Sequence, residues 1–371
     1  MAGKNYTRSI FFLLMFVCFV AFCGILKVTQ AVTEPIAVSI LLAFVFYPLV
    51  KRLRRLHVPT VAAILLIVFL IMVTLFILGN LLATSIRTIV RAYPRYEERF
   101  TTLYQLAAKT LRLPFDENSS LITNLWNQLN FRTTLQKLAL TTSTGFVSAA
   151  KLVMVMLLFV VFLLLEMNSM REKVNTAFAG ESRDKVISMT RHIITEITRY
   201  ISIKFLVSLM TGFFVFLATA AIRMDFPILW GFIAFLLNFI PTFGSIISWS
   251  LTTLFGTLQF FPHWGYVVYI AVAVLLINMV LGNIVEPRWE GSDLGISPFV
   301  ILVNLSLWGW LWGFSGMIVA VPLMVIVKII CENIEYLQPI AVFLGNSKSV
   351  KAQASGTPAQ QPEPQDKNRQ G

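Results

Sequence analysis

The sequence predicts an all-α, polytopic membrane protein with about six full transmembrane helices plus two broken, re-entrant helical hairpins. Three observations predict it. Of the 371 residues, 57% are hydrophobic and only 13% are charged, which is the composition of a chain solvated by lipid. Apolar spans recur at 10–27, 32–50, 60–83, 148–166, 203–222, 226–262, 265–282 and 298–328. Two of these, 226–262 and 298–328, would run to about 55 Å and about 46 Å as single helices, against a hydrocarbon layer about 30 Å thick.

The first span follows Lys4 and Arg8, as in a signal peptide, but its apolar run Ile10–Leu26 is 17 residues long. Phe22-Cys23-Gly24 offers no small-x-small cleavage site, so a retained first helix is expected. Lys51, Arg52, Arg54 and Arg55 crowd the loop after the second span, whereas the loop before it holds only Lys27. That asymmetry puts the Lys51–Arg55 loop and the N-terminus in the cytoplasm of a cell inner membrane. Residues 1–83 then form three transmembrane helices, and 84–147 a polar extracytoplasmic helical insertion. In it Arg87, Arg91, Arg95 and Arg99 recur every fourth residue, a solvated face or a funnel for anions, with Pro94 kinking the helix. The net charge of +12 follows from such clusters beside apolar spans, so membrane topology accounts for it and nucleic acid is not the partner.

Residues 148–202 hold the fourth helix and a cytoplasmic amphipathic helix, with Ile187, Ile193, Ile194, Ile197 and Ile201 opposite Arg191, Glu196 and Arg199. It is expected to run directly into the fifth span. Residues 203–345 form a transport core with the two hairpins, 226–262 and 298–328. The tail 346–371, rich in Gln, Pro, Ser and Lys, cannot bury enough surface to order and is expected to be disordered in the cytoplasm.

Both long segments break near the middle. The first break is Asn238-Phe239-Ile240-Pro241-Thr242-Phe243-Gly244-Ser245, where Pro241 lacks an amide hydrogen and Gly244 permits turn dihedrals. The second is Trp308-Gly309-Trp310-Leu311-Trp312-Gly313. Each segment is a re-entrant hairpin or a pair of proline-kinked spans, and the hairpin agrees with a cytoplasmic C-terminus. Helix ends at a hairpin tip leave peptide groups free to grip a polar solute at membrane depth. Asn238, Thr242 and Ser245 add neutral hydrogen-bonding groups there, and Asn278, Asn283 and Asn304 are of the same kind. The competing role for each is an interhelical hydrogen bond. Trp308 and Trp310 stack on a solute or anchor the chain at the interface. Glu286 and Arg288 flank Pro287 at the end of a span, as carriers of coupling protons, parts of a gate, or an ion pair within or between subunits.

At these residues the chain resembles the autoinducer-2 exporter family. The resemblance rests on LLNFIPTFGSII at 236–247, GNIVEPR at 282–288, LGISP at 294–298 and WGWLWGFSGMIVAVPL at 308–323. The span pattern extends it over nearly the whole chain. GNIVEPR with WGWLWG is similar to the branch credited with autoinducer-2 export, while other branches exchange Na⁺ for H⁺. The resemblance implies a homopentamer whose protomers each carry a pathway, with both hairpins handling substrate. From their chemistry at the two breaks, Asn238, Pro241, Thr242, Gly244, Ser245, Asn278, Asn283, Trp308, Gly309, Trp310 and Gly313 are expected to bind substrate, and Glu286, Pro287 and Arg288 to act in coupling or gating. The chain departs from the family at Trp289-Glu290-Gly291-Ser292-Asp293, where two acids stand in place of a neutral or basic patch.

The reading is therefore a permease that exports a small polar, autoinducer-2-like signal, as a homo-oligomer in the lipid bilayer. The alternative is a monovalent cation/proton antiporter, which needs a buried carboxylate, and none lies mid-span. A scaffold or sensor has no use for paired breaks at bilayer depth. No enzyme is expected, because His57, His192 and His263 are isolated and no nucleotide motif occurs. Cys18, Cys23 and Cys331 have neither metal nor disulfide spacing, so no metal and no cofactor are expected.

Overall fold

The structure, a computed structural model, describes residues 2–110, 150–167, 169–178, 180–290 and 295–345. Among the described residues every named element is a helix, and the one strand-like pairing is an isolated bridge between Ile296 and Gly345. Helix α1 (Ala2–Val28) is separated by Thr29 from α2 (Gln30–Arg55), and α3 covers Thr60–Thr110. Then come α4 (150–166), α5 (Met170–Ala177) and α6 (Gly180–Ala221). Helices α7 (Pro227–Leu237) and α8 (Phe243–Phe260) precede α9 (Trp264–Val280), a π-turn at Leu281–Val285 and the short α10 (Glu286–Glu290). Helix α11 (Pro298–Asn333), a 3₁₀ turn at Glu335–Leu337 and α12 (Gln338–Leu344) complete the order.

Gln30–Arg55, Thr60–Ser85, Gly180–Ala221, Trp264–Glu290 and Pro298–Asn333 are long and apolar enough to cross a membrane. Leu13–Val28 and Pro227–Leu237 are shorter apolar helices. Large apolar side chains such as Phe69, Leu70, Phe76, Phe162 and Phe213 stand exposed, the inverse of a soluble surface and the expected one for helices facing lipid. The chain is an all-α, multi-pass membrane protein.

Two compact units make up the fold. The larger comprises Ala31–Glu172 and Thr198–Glu290. In it α2, α3 and α4 share a core of Ala43, Val50, Ala63, Ile64, Ile67, Val160 and Leu164. The Ser39 hydroxyl donates to the Met156 carbonyl at 2.9 Å, joining α2 to α4. A second core, from Val215, Met224, Trp230, Ala234, Ile270 and Val274, packs α6, α7, α8 and α9. The smaller unit comprises Met1–Gln30, Lys173–Ile197 and Gly291–Gly371. Ile296, Val325 and Ile329 form its core with Met189 and Ile193 beside them, so the apolar face read from the isoleucines is a packing face.

Helix α6 joins the amphipathic segment to the fifth span without interruption, as the pattern predicts. The composition change at 83 does not end α3, which carries on to Thr110. In the arginine row, Arg99 donates to the Gln259 carbonyl, and Tyr96 on the same turn donates to the Asp225 carboxylate. The end of α3 is thereby tied to the base of the first hairpin, and Arg99 is neither a solvated nor a funnel residue. The side chains of Arg91 and Arg95, residues 111–149 of the insertion and the tail 346–371 lie outside the described residues.

The helix of the 265–282 span runs beyond the end of its apolar run. After α9 the backbone stays helical through Glu290, because the π-turn absorbs an extra residue just before Pro287. A wide turn accommodates a residue that lacks an amide hydrogen, where a regular α-helix would lose a bond.

Candidate functional site

Helices α7 and α8 fold back on each other. The Trp230 ring lies 5.0 Å from the Phe255 ring, and Leu237 at the end of one arm touches Gly244 at the start of the next. Pro227 opens α7 at a position where a missing amide hydrogen costs nothing. With 11 residues that arm rises only about 16 Å, too short to cross a hydrocarbon layer about 30 Å thick. The arms meet so closely that a Cβ on Gly244 would sit 1.7 Å from the Leu237 carbonyl oxygen. Thr242 adopts φ 64° and ψ −57° at the apex, a γ-turn in which the Phe243 amide donates to the Pro241 carbonyl at 2.7 Å, and a β-branched residue resists that positive φ. The hairpin leans on α6 through a second glycine contact. A Cβ on Gly212 would lie 2.6 Å from the Gly231 carbonyl oxygen, and one on Gly231 2.7 Å from that of Gly212.

A cavity of about 520 Å³ opens against this apex. Its walls include Lys204 from α6, Asn238, Pro241, Thr242, Ser245 and Trp249 from the hairpin, and Asn278, Asn283 and Glu286 from α9 to α10. The π-turn sets the spacing that lets Asn278, Gly282, Asn283 and Glu286 reach one wall. Polar groups in it differ in state. Asn238 is buried and donates to the Ser208 hydroxyl at 3.0 Å. Trp249 is pinned by donating its indole N–H to the Ala271 carbonyl at 2.8 Å. Asn278 keeps both its side-chain nitrogen and its oxygen buried with no hydrogen-bond partner among the described residues. A buried amide left this way is costly.

The ionisable pair in the cavity was not legible as such. Glu286 accepts from Lys204 Nζ at 2.6 Å, with side-chain exposures of 16% and 6%. The sequence paired Glu286 with Arg288 or with another subunit; here its partner sits 82 positions upstream, on the buried face of α6. Arg288 and Pro287 are exposed on α10 and do not line the cavity. Gly244 serves the site from behind, by letting the arms close.

Trp308, Gly309, Trp310 and Gly313 belong to the smaller unit, where α11 is a second hairpin. Its helical dihedrals fail at Trp312 and Gly313 (φ 62°), and the chain reverses there. Asn304 donates its side-chain amide across the fold to the Ala320 carbonyl at 2.7 Å. A Cβ on Gly316 would lie 2.0 Å from the Trp308 carbonyl oxygen. Asn304 is therefore a staple between arms, and the hairpin extends to Asn333 rather than 328. The Trp308 and Trp312 rings pack tilted at 4.6 Å, Trp310 is exposed, and the buried Trp312 indole N–H has no partner among the described residues. Sequence reasoning missed Lys27. From the end of α1 its ammonium donates to the carbonyls of Trp310 at 2.7 Å and Leu311 at 2.8 Å, and lies 5.7 Å from the Trp310 ring. These are the last carbonyls of the first arm, groups that a helix end leaves open and that a cation suits.

No group of three or more His, Cys, Asp or Glu able to hold a metal occurs among the described residues. The comparisons with known proteins agree along the chain's length. A family model described as AI-2E family transporter matches residues 10–336. A protein of Borreliella burgdorferi, whose name says transport and gives no substrate, is 32% identical over 341 residues, covering 92% of this chain and 91% of its own. A similarly named protein of Haemophilus influenzae is 31% identical over 88% of this chain and 93% of its own. The AI-2 transport protein TqsA of Escherichia coli is 29% identical over 87% of this chain and 92% of its own.

Proposed function

Because the chain belongs to the AI-2E family of transporters, we propose that it exports a small, polar, uncharged solute of the autoinducer-2 kind through the cavity beneath the first hairpin. One observation carries this reading. Beside the Lys204–Glu286 pair the cavity is lined by the neutral groups of Asn238, Thr242, Ser245, Asn278 and Asn283, and Asn278 has a buried donor and a buried acceptor that no described residue satisfies. A hydroxyl-rich molecule supplies both partners, whereas a fixed external charge would enter an apolar surrounding at high cost. The hairpin caps the cavity and the solute passes when cap and wall separate. Helix α6 is the element the cap rides on, through Gly212 and Gly231. The second hairpin acts likewise in its own unit, its tip braced by Lys27. We place both termini in the cytoplasm on the loop-charge argument and expect the working form to be a homo-oligomer, the pentamer of the family resemblance.

The test is uptake into sealed vesicles that contain the purified protein, with autoinducer-2 and Na⁺ compared side by side. Saturable movement of the uncharged solute, lost in Asn278→Ala, is expected. Uptake unaffected by Asn278→Ala would remove this cavity from the path. Proton release on adding Na⁺ without movement of the solute would replace export with cation exchange.

A further inference from the structure

The ion pair inside the cavity has a property that follows from its placement. Lys204 lies on the stripe of α6 that also buries Val207, Ser208, Thr211 and Val215, and its side chain is only 6% exposed. Its charge is answered by Glu286 Oε1 at 2.6 Å. The two are the ionisable residues among those lining the cavity; the polar remainder, Asn238, Thr242, Ser245, Asn278 and Asn283, is neutral. The cavity therefore holds a carboxylate of the type a cation exchanger needs, already occupied by a cation that cannot leave. A tethered partner competes at an effective concentration no dissolved ion matches at ordinary salt.

Resting on the reading of this cavity as the solute path, we infer that Lys204 is a specificity-determining residue that occupies Glu286 and so excludes monovalent cations from the cavity. The pair also fixes the class of cargo. With the two charges cancelled, a solute of either net charge meets an environment that offers it no counter-charge, while an uncharged one meets amides and hydroxyls. Removing one partner leaves the other buried and uncompensated, and an ion from solution then becomes its replacement. On this inference Lys204 separates a carrier of neutral solutes from a cation carrier built on the same hairpin.

Calorimetric titration of the purified full-length protein with NaCl tests it. The unaltered protein and Lys204→Arg are expected to bind no Na⁺ in the cavity. Lys204→Met is expected to bind it saturably, and Lys204→Met combined with Glu286→Gln to lose that binding. Absence of Na⁺ binding by folded Lys204→Met overturns the inference, as does binding by the unaltered protein that Glu286→Gln abolishes. Should Lys204→Met fail to fold, Glu286→Gln gives the mirror measurement. Its lone ammonium is expected to bind sulfate where the unaltered protein does not, and no sulfate binding overturns the inference. Autoinducer-2 uptake by Asn278→Ala judges the solute path separately, so loss of that reading and loss of this one give different results.

Discussion

Substituting Gly244 by Ala tests the hairpin where its geometry is least forgiving. The added methyl would sit 1.7 Å from the Leu237 carbonyl oxygen, while carbon–oxygen contacts in proteins settle near about 3.3 Å. The arms must therefore part by about 1.6 Å at the apex. That displacement breaks the Gly244 amide bond to the Ile240 carbonyl, now 3.1 Å, and pulls Thr242 and Ser245 away from the cavity wall they share with Asn278. Overpacking of this kind costs roughly 3 kcal/mol, and the obstacle is backbone, which has no rotamer to give. Thermal unfolding in lipid nanodiscs, with vesicle uptake on the same preparation, reads both effects. Gly24→Ala is the control, since nothing lies within 4 Å of its Cβ and a helix interior gains by the exchange. A Gly244→Ala protein that unfolds and transports like the unaltered one would refute the close apex and the cavity built on it.

Three further outcomes are expected. Asn278→Ala should lower solute affinity about tenfold with little loss of stability, while Asn238→Ala should cost about 1–2 kcal/mol of stability by orphaning Ser208; binding isotherms beside melting curves separate the two. Lys27→Met should release the tip of the second hairpin and weaken the fold by about 1 kcal/mol. Lys27→Arg restores the contact, and Trp310 fluorescence, with the other tryptophans replaced by Phe, follows the loss and return of the nearby charge. Thr242→Gly should relieve about 1 kcal/mol of positive-φ strain and raise the melting temperature while slowing uptake, because the apex gains freedom; equal melting temperatures would mean the turn is unstrained.

The helices, their order and both reversals were legible, since lipid makes every span an uninterrupted apolar run and Pro241, Gly244 and Gly313 mark where it stops. Contacts across sequence were not. Asn238 and Asn278 look alike as letters, yet one meets Ser208 and the other meets nothing, which depends on the rotation of α6 against α9. Glu286 read as the end of a span because Pro287 normally ends a helix, and the π-turn that continues that helix has no composition of its own. Lys27 read as a topology signal, and Lys204, at the edge of the fifth apolar run, carried no signal in the sequence. Only the fold shows that one faces a carboxylate and the other two carbonyls.

In both hairpins the bend is sealed by main chain pressed on main chain, at Gly244 against Leu237 and at Gly316 against Trp308. Such a seam has no side-chain torsions with which to adapt to a larger guest. On the proposed path, admitting bulkier cargo is therefore a matter of trimming the walls, at Trp249, Leu275 or Met279, while the hairpin stays as it is.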